Sequence, residues 1–193
     1  LDVGAQTEGD AARLRALGAR SVTVTGNLKF DISPPADVAV RAGSLRSLYG
    51  GRPVFLAGST RDGEEALLLD ALAARPLDAL AVIVPRHPQR FDEVAALIAK
   101  RGLACVRRSE NRPAPPDCRV MLGDSMGEMS AYYASCDVAL IGGSLLEYGA
   151  QNLIEAAAVG APILIGPSSF NFAEATALAI EAGAAARVAD APD

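Results

Sequence analysis

With 193 residues, half of them hydrophobic, the chain has the size and composition of one ordinary domain that builds its core without metals or disulfides, and neither a disordered nor a collagen-like polymer fits its 18 Gly and 12 Pro. A net charge of −5, with Lys29 and Lys100 the only lysines among 18 basic residues, gives little support to nucleic-acid binding through a broad basic face, so a bound anion must meet Arg, backbone N–H groups or both. Cys105, Cys118 and Cys136 are odd in number with no C-x-x-C pair, which argues against zinc and a disulfide framework, and no apolar run approaches the roughly 18 residues of a membrane helix.

In chain order, Ala11 to Leu17 is spaced like a short helix that Gly18 ends, and Val22 to Thr25 alternates like a strand before Gly26. Ile32-Ser-Pro-Pro35 continues neither element, because two prolines fix φ and remove donors; residues 31–36 read as a linker and 37–193 as the main domain. That domain alternates the strand Val54–Ala57 with the helix Glu64–Ala74, then the strand Ala81–Val84 with the helix Phe91–Lys100. The strand Ala104–Arg107 follows, then the strand Val120–Leu122 with the helix Ser130–Ser135, and the strand Val138–Gly142 with the helix Asn152–Val159. The strand Ile163–Ile165, the helix Ala173–Ala182 and the strand Ala185–Val188 close the series. Short, wholly apolar strands between amphipathic helices predict an α/β domain, a doubly wound and mostly parallel sheet covered on both faces. The proline-rich stretch 111–117, between the third and fourth strands, is where the strand order is expected to reverse. Leu at position 1 and the ending Ala191-Pro192-Asp193 lead us to expect a piece of a longer protein.

Open α/β sheets bind ligands beyond the carboxyl ends of their strands, and five such segments here are polar or glycine-rich. In Gly58-Ser-Thr-Arg-Asp-Gly-Glu-Glu65, Ser59 or Thr60 either caps a helix whose first turn carries Glu64 and Glu65, or offers a hydroxyl to a ligand. In Val84-Pro-Arg-His-Pro88, Arg86 presents a planar donor fork and His87, the one histidine, a donor beside it, an arrangement that favours an anion over a structural role. A Ser-His-Asp triad would have to run through His87, and no G-x-S-x-G elbow accompanies it, which disfavours hydrolase chemistry. Gly123-Asp-Ser-Met-Gly-Glu128 is either an ordinary loop or a place where small residues let the backbone approach a flat nucleobase. Gly142-Gly143-Ser144 follows an apolar strand, can expose N–H groups to a phosphate, and precedes a helix start at Asn152 that adds partial positive charge. Glu155, one turn later, either accepts hydrogen bonds from the two hydroxyls of a ribose or is a solvated helix carboxylate. Gly166 to Phe172 reads as a rigid rim in which Asn171 bridges loops. Neither G-x-G-x-x-G nor G-x-x-x-x-G-K-[ST] occurs, which removes the main support for a dinucleotide oxidoreductase or a P-loop ATPase.

Taken in order, Val24-Thr-Gly-Asn-Leu-Lys-Phe-Asp31, Gly58 to Glu65, Val84 to Pro88, Gly123 to Glu128, Gly142 to Ser144 and Gly166 to Phe172 resemble the 3-deoxy-D-manno-octulosonic acid (Kdo) transferases over nearly the whole chain. The resemblance is to the carboxyl-terminal half of that family. It implies a Rossmann-like domain of a GT-B glycosyltransferase, with residues 1–30 the tail of an amino-terminal domain and 37–193 a donor-binding domain truncated at its carboxyl end. It further implies transfer of Kdo from CMP-Kdo to a lipid A precursor, without metal or cofactor, at the cytoplasmic face of the inner membrane of Gram-negative bacteria. The acceptor surface, the membrane contact and the catalytic carboxylate belong to the amino-terminal half in this family, so no catalytic residue is expected here. Where many members read Gly-Gly-His-Asn-Pro-Leu-Glu-Pro, this chain has Gly149-Ala-Gln-Asn-Leu-Ile-Glu-Ala156, which keeps Asn152 and Glu155 and puts Gln151 in place of the histidine.

With the resemblance, the segments receive roles as expectations. Gly143, Ser144 and the Asn152 helix start meet the phosphate, Glu155 the ribose, and Met126 with Gly127 the cytosine. Arg86 and His87 meet the phosphate or the Kdo carboxylate, Ser59 and Thr60 contribute hydroxyls, and Glu128 is the carboxylate next in line for the ribose. Two other readings share the architecture: a sugar-nucleotide epimerase, which would prefer UDP, and a non-catalytic nucleotide-binding module.

Overall fold

The computed structural model describes residues 2–27, 30–75 and 77–192, which form two compact units, the first ending at Ser33 and the second beginning at Pro34. The first unit is a small βαβ: β1 (Asp2–Ala5), α1 (Glu8–Ala16) and β2 (Ser21–Val24), with β1 and β2 parallel from Asp2 opposite Ser21 to Ala5 opposite Val24. The Thr7 side chain accepts the Asp10 N–H at 3.1 Å, so the helix starts three residues earlier than its apolar spacing suggests. β1 has no counterpart in the expected elements, because four residues containing a glycine carry no readable alternation. The Leu28-Lys29 part of the Val24–Asp31 motif lies outside the described residues.

The second unit opens with α2 (Val38–Leu48), followed by β3 (Val54–Thr60), α3 (Glu64–Ala74), β4 (Leu80–Pro85), α4 (Phe91–Lys100) and β5 (Cys105–Arg107). Next come β6 (Val120–Leu122), α5 (Met129–Ser135), β7 (Val138–Ile141), α6 (Ile154–Ala158), β8 (Ile163–Ile165), α7 (Ala173–Glu181) and β9 (Ala185–Arg187). Among the described residues β3 to β9 form one seven-stranded sheet, parallel at every pair, in the order β5-β6-β4-β3-β7-β8-β9. Alternate residues of the central strands face opposite layers, and both layers are filled. Ala57, Ile83 and Leu140 pack with Leu68, Leu69, Val94 and Ile98 of α3 and α4, while Gly58 meets Met129 and Tyr133 of α5 on the other side. Cover on both faces is why β4 is buried along all six residues and reads as a continuous apolar run.

The chain runs from β4 out to the edge strand β5 and turns back at the 111–117 loop, as expected, to insert β6 between β5 and β4; the crossing to the other half of the sheet comes later, from β6 to β7 on the far side of β3. The crevice of this sheet therefore lies between the carboxyl ends of β3 and β7. The helix α2 was not foreseen. Its buried stripe is Ala42, Leu45 and Leu48 alone, packed on α5, while Val40 is 74% exposed, so the apolar pattern understates the helix and partly contradicts it. No described helix is long and apolar enough to cross a membrane.

Candidate functional site

The crevice is built by close backbone contact. β3 carries a register shift between Gly58 and Thr60, with Ser59 at φ 58°, a left-handed conformation that a side chain adopts only when its surroundings force it. The forcing partner is the loop after β7. Gly142 donates its N–H to the Gly58 carbonyl at 2.8 Å, and a Cβ at Gly142 would fall on the Ser59 carbonyl group. Gly142 is thus required for close approach between two segments of the backbone, and it is Gly143, at φ 70°, that uses the conformational freedom of glycine.

A buried carboxylate then ties the two loops together. Glu64, at the start of α3 and 1% exposed, accepts hydrogen bonds from the backbone N–H groups of Arg61 (2.8 Å), Gly143 (2.6 Å) and Leu145 (3.0 Å). Ser144 is fully buried; its hydroxyl donates to the Ile141 carbonyl and accepts the Gly166 N–H at 2.8 Å. The phosphate role expected of Gly143 and Ser144 therefore meets an obstacle: the N–H of one and the hydroxyl of the other are already engaged inside the protein. Thr60 is likewise turned inward, donating to Glu65 at 2.6 Å, and the same carboxylate oxygen accepts from Arg90 at 2.8 Å. Of the two hydroxyls singled out at the carboxyl end of β3, Ser59 alone lines the cleft.

That cleft lies at the carboxyl ends of β3, β4 and β6. It brings Ser59, Arg86, Met126, Gly127 and Glu128 together around Pro85. Gly123 lets the loop pass over β4, since a Cβ there would stand 2.6 Å from Val84 and 3.0 Å from the Tyr132 hydroxyl. Tyr132 in turn shares a 2.9 Å hydrogen bond with Ser125, which fixes the loop from inside, and Gly127 turns it at φ 73°. Met126 is left 59% exposed, an apolar surface offered at the mouth of a polar site. Glu128 is held by Arg108 at 3.1 Å, so its charge is compensated before any ligand arrives.

On the other wall stand the cations. Arg86 and His87 are exposed, and His87 Nε2 lies 3.5 Å from Arg61 Nη1. The Arg61 guanidinium sits over the Tyr148 ring, 4.8 Å from its centroid. None of these three residues has a carboxylate partner among the described residues, whereas Arg90 is shared between Glu65, Asp62 and Glu93. Arg61 was not singled out from the sequence, although it lies inside the Gly58–Glu65 motif.

Asn152 and Glu155 form a pair of their own. The helix α6 begins at Ile154 and is five residues long, shorter than the expected Asn152–Val159. Asn152 precedes it, accepting the Ile154 N–H at 3.1 Å and donating to Glu155 Oε1 at 3.1 Å. Both are half-buried, and Asn152 acts here as a brace that orients the carboxylate. Burial first, and the nearby Glu155 charge second, push the Tyr133 phenol far above its ordinary range, which puts Glu155 beside the tyrosine that packs on Gly58. On the rim, Asn171 bridges loops as expected: its side chain donates to the Tyr148 carbonyl at 2.9 Å and its N–H to the Gly149 carbonyl at 3.1 Å. A separate apolar groove, away from these loops, is lined by Phe55, Leu72, Leu140, Leu164 and Ala191.

No family model matches the chain. A Bordetella pertussis protein named 3-deoxy-D-manno-octulosonic acid transferase is 48% identical over 197 residues, covering 97% of this chain and 45% of that protein. A Haemophilus influenzae protein of the same name is 36% identical over 185 residues, covering 93% of this chain and 43% of that protein. The chain thus spans about half the length of these relatives. Among solved structures, the crystal structure of the C-terminal CMP-Kdo binding domain of WaaA from Acinetobacter baumannii matches with a TM-score of 0.74 at 34% identity, over 81% of this chain and 84% of that one.

Proposed function

This chain belongs to the Kdo transferase family, with the Rossmann-like carboxyl-terminal fold of a GT-B glycosyltransferase, and from that premise we propose that residues 34–193 bind the donor CMP-Kdo for a transfer completed by another part of the protein. The observation that carries the reading is the cleft at the ends of β3, β4 and β6, where an exposed methionine and a glycine turn face Arg86. A cytosine ring fits against Met126 and Gly127, the ribose hydroxyls against Glu155, and the phosphate toward Arg86 and His87. Ser59 supplies a hydroxyl at the cleft floor.

Departure of CMP leaves negative charge on its phosphate. Cations fixed beside that position before the reaction stabilise the transition state without reorganising. The base that deprotonates the acceptor hydroxyl, the lipid A precursor surface and contact with the inner membrane at its cytoplasmic face are assigned to the amino-terminal half of the family. Residues 1–30 are read as the tail of that half, and the chain alone binds without catalysing.

Calorimetry of the chain with CMP, UMP and NAD tests this. CMP is expected to bind, weakly, on the order of 0.1 to 1 mM, because half of the burying cleft belongs elsewhere. Tighter binding of UMP would move the chain to the epimerase-like class, and no nucleotide binding at all would leave a non-catalytic module. Turnover of CMP-Kdo and lipid acceptor by the chain alone would overturn the division of labour.

A further inference from the structure

We propose, resting on the donor-binding reading above, that Arg61 and His87 form a paired site for an anionic group of the donor, and that Glu64 directs the anion there by filling the backbone N–H cradle of the crevice with its own carboxylate. The N–H groups of Arg61, Gly143 and Leu145 converge, at 2.6 to 3.0 Å, on a carboxylate that is 1% exposed. A phosphate at the same loop would find these donors used and a buried negative charge behind them. Oriented N–H groups at such crossings are an ordinary anion site, and here the chain occupies it itself.

Around the carboxyl ends of the strands, Arg90 is consumed by Glu65, Asp62 and Glu93, Arg107 by Asp92, and Arg108 by Glu128. Arg61 Nη1 and His87 Nε2 lie 3.5 Å apart, a long hydrogen bond in which the imidazole nitrogen accepts from the guanidinium, and neither has a carboxylate partner among the described residues. Arg61 is also held from its other side: its guanidinium lies on the Tyr148 ring. Tyr148 is itself fixed by its hydroxyl on the Asp62 carbonyl at 3.2 Å and by Asn171 on its own carbonyl at 2.9 Å. With a proton on Nε2, His87 donates beside Arg61 in place of accepting from it, so that one oxygen of a phosphate or a carboxylate accepts from both groups, and the planar fork of Arg61 can take a second oxygen. The shared chemistry is that of a compact oxyanion, supplied either by the nucleotide phosphate or by the acid group of the sugar.

His87 is the one histidine of the chain, so its ring protons give the only histidine signals in a proton spectrum. The full chain is titrated at constant pH with inorganic phosphate, CMP, cytidine and free Kdo, with sodium chloride at matched ionic strength as the blank. Saturable movement of the His87 signals is expected with phosphate, with a midpoint raised about tenfold or more in Arg61→Gln and only partly in Arg61→Lys. Movement with CMP but not cytidine assigns the nucleotide phosphate; movement with free Kdo assigns the sugar acid. Both outcomes support the pair. Failure of every anion to move the signals saturably, or an unchanged midpoint in Arg61→Gln, overturns it. Calorimetric binding of CMP with the His87 signals still would overturn the pair and keep the donor reading. Saturation by phosphate without any CMP binding would do the reverse.

Discussion

The loops that follow β3 and β7 and the wall formed by Arg61, Arg86 and His87 draw on the same stock of small, polar and charged residues, yet they end in opposite states. In the first region the buried polar groups find partners within the chain: Glu64 with three N–H groups, Ser144 with Ile141 and Gly166, Thr60 with Glu65. In the second, three cationic or cation-capable side chains stand without a carboxylate among the described residues. The difference teaches that residue type does not separate a framework from a contact surface; internal satisfaction does. Buried polar groups left unpaired are costly, so the inward groups are held by partners within the chain, while the outward set is free to wait for a ligand.

The sharpest way to break this comparison is Gly142→Ala. The added methyl meets backbone, not a side chain that could swing away, so one of the two loops must move. Stability is expected to fall by about 3 kcal/mol or more, read as the urea midpoint. A variant as stable as its parent would show that the loops are not locked against each other. Next in size is Glu64→Gln, which keeps the shape but turns an amide NH₂ toward one of three N–H donors. A loss of about 2 to 3 kcal/mol is expected, against less than about 0.5 kcal/mol for Arg61→Gln on the open wall. Equal losses at the two positions would erase the distinction between the regions.

The sequence could show that Glu64 opens a helix, and the dipole of the helix was reason enough for an acidic residue there. It could not show that two of its three donors come from residues 79 and 81 positions away, because nothing in a local pattern encodes where β7 lands. The alternation of strands and helices was readable because central strands buried on both faces have no polar positions. α2 was not, because its burial stops at three residues. Asn152 was placed at the right turn but given a ligand, when its first task is to brace Glu155. Arg61 was missed because the eye rests on the hydroxyls and carboxylates of its motif, and its importance lies in what it lacks. The strand crossover beside β3 depended on β6 being inserted beside an edge strand, a choice of pairing that composition does not reveal.

Glu155 tests the boundary between the two regions, since Asn152 engages one of its oxygens and Tyr133 lies nearby. Glu155→Gln is expected to weaken CMP by about 1 to 3 kcal/mol while leaving the urea midpoint nearly unchanged. The 2′-deoxy nucleotide is the control: it should bind the parent more weakly than CMP does, and bind the Gln variant almost as well as CMP. Equal binding of the deoxy analogue and CMP to the parent would transfer the ribose role to Glu128.

The smallest effect is expected at the opposite end of the same two strands, where a second carboxylate joins them under different conditions. Asp137, just before β7, receives the Arg46 guanidinium through two hydrogen bonds, at 2.7 and 2.9 Å, and the Val54 N–H at 2.7 Å. It therefore links α2, β3 and β7 as Glu64 links β3, α3 and β7, but 46% of its side chain is exposed to water. The hydrogen bond from Arg46 holds its pKa below the usual carboxylate value, with burial opposing and the Val54 N–H assisting. A folded-state pKa below the unfolded one makes the ionised form the stabilising one. The contribution is complete above the unfolded value of about 3.9 and is lost as pH falls through the lower folded value. Water screening limits it to less than about 1 kcal/mol. The urea midpoints of the parent and Asp137→Asn should differ slightly at pH 7, by less in high salt, and converge as the pH is taken below 3. A gap that persists undiminished in acid would mean that Asp137 acts through its shape and its Val54 bond, as a neutral brace, and the contrast with the buried Glu64 would then rest on burial alone.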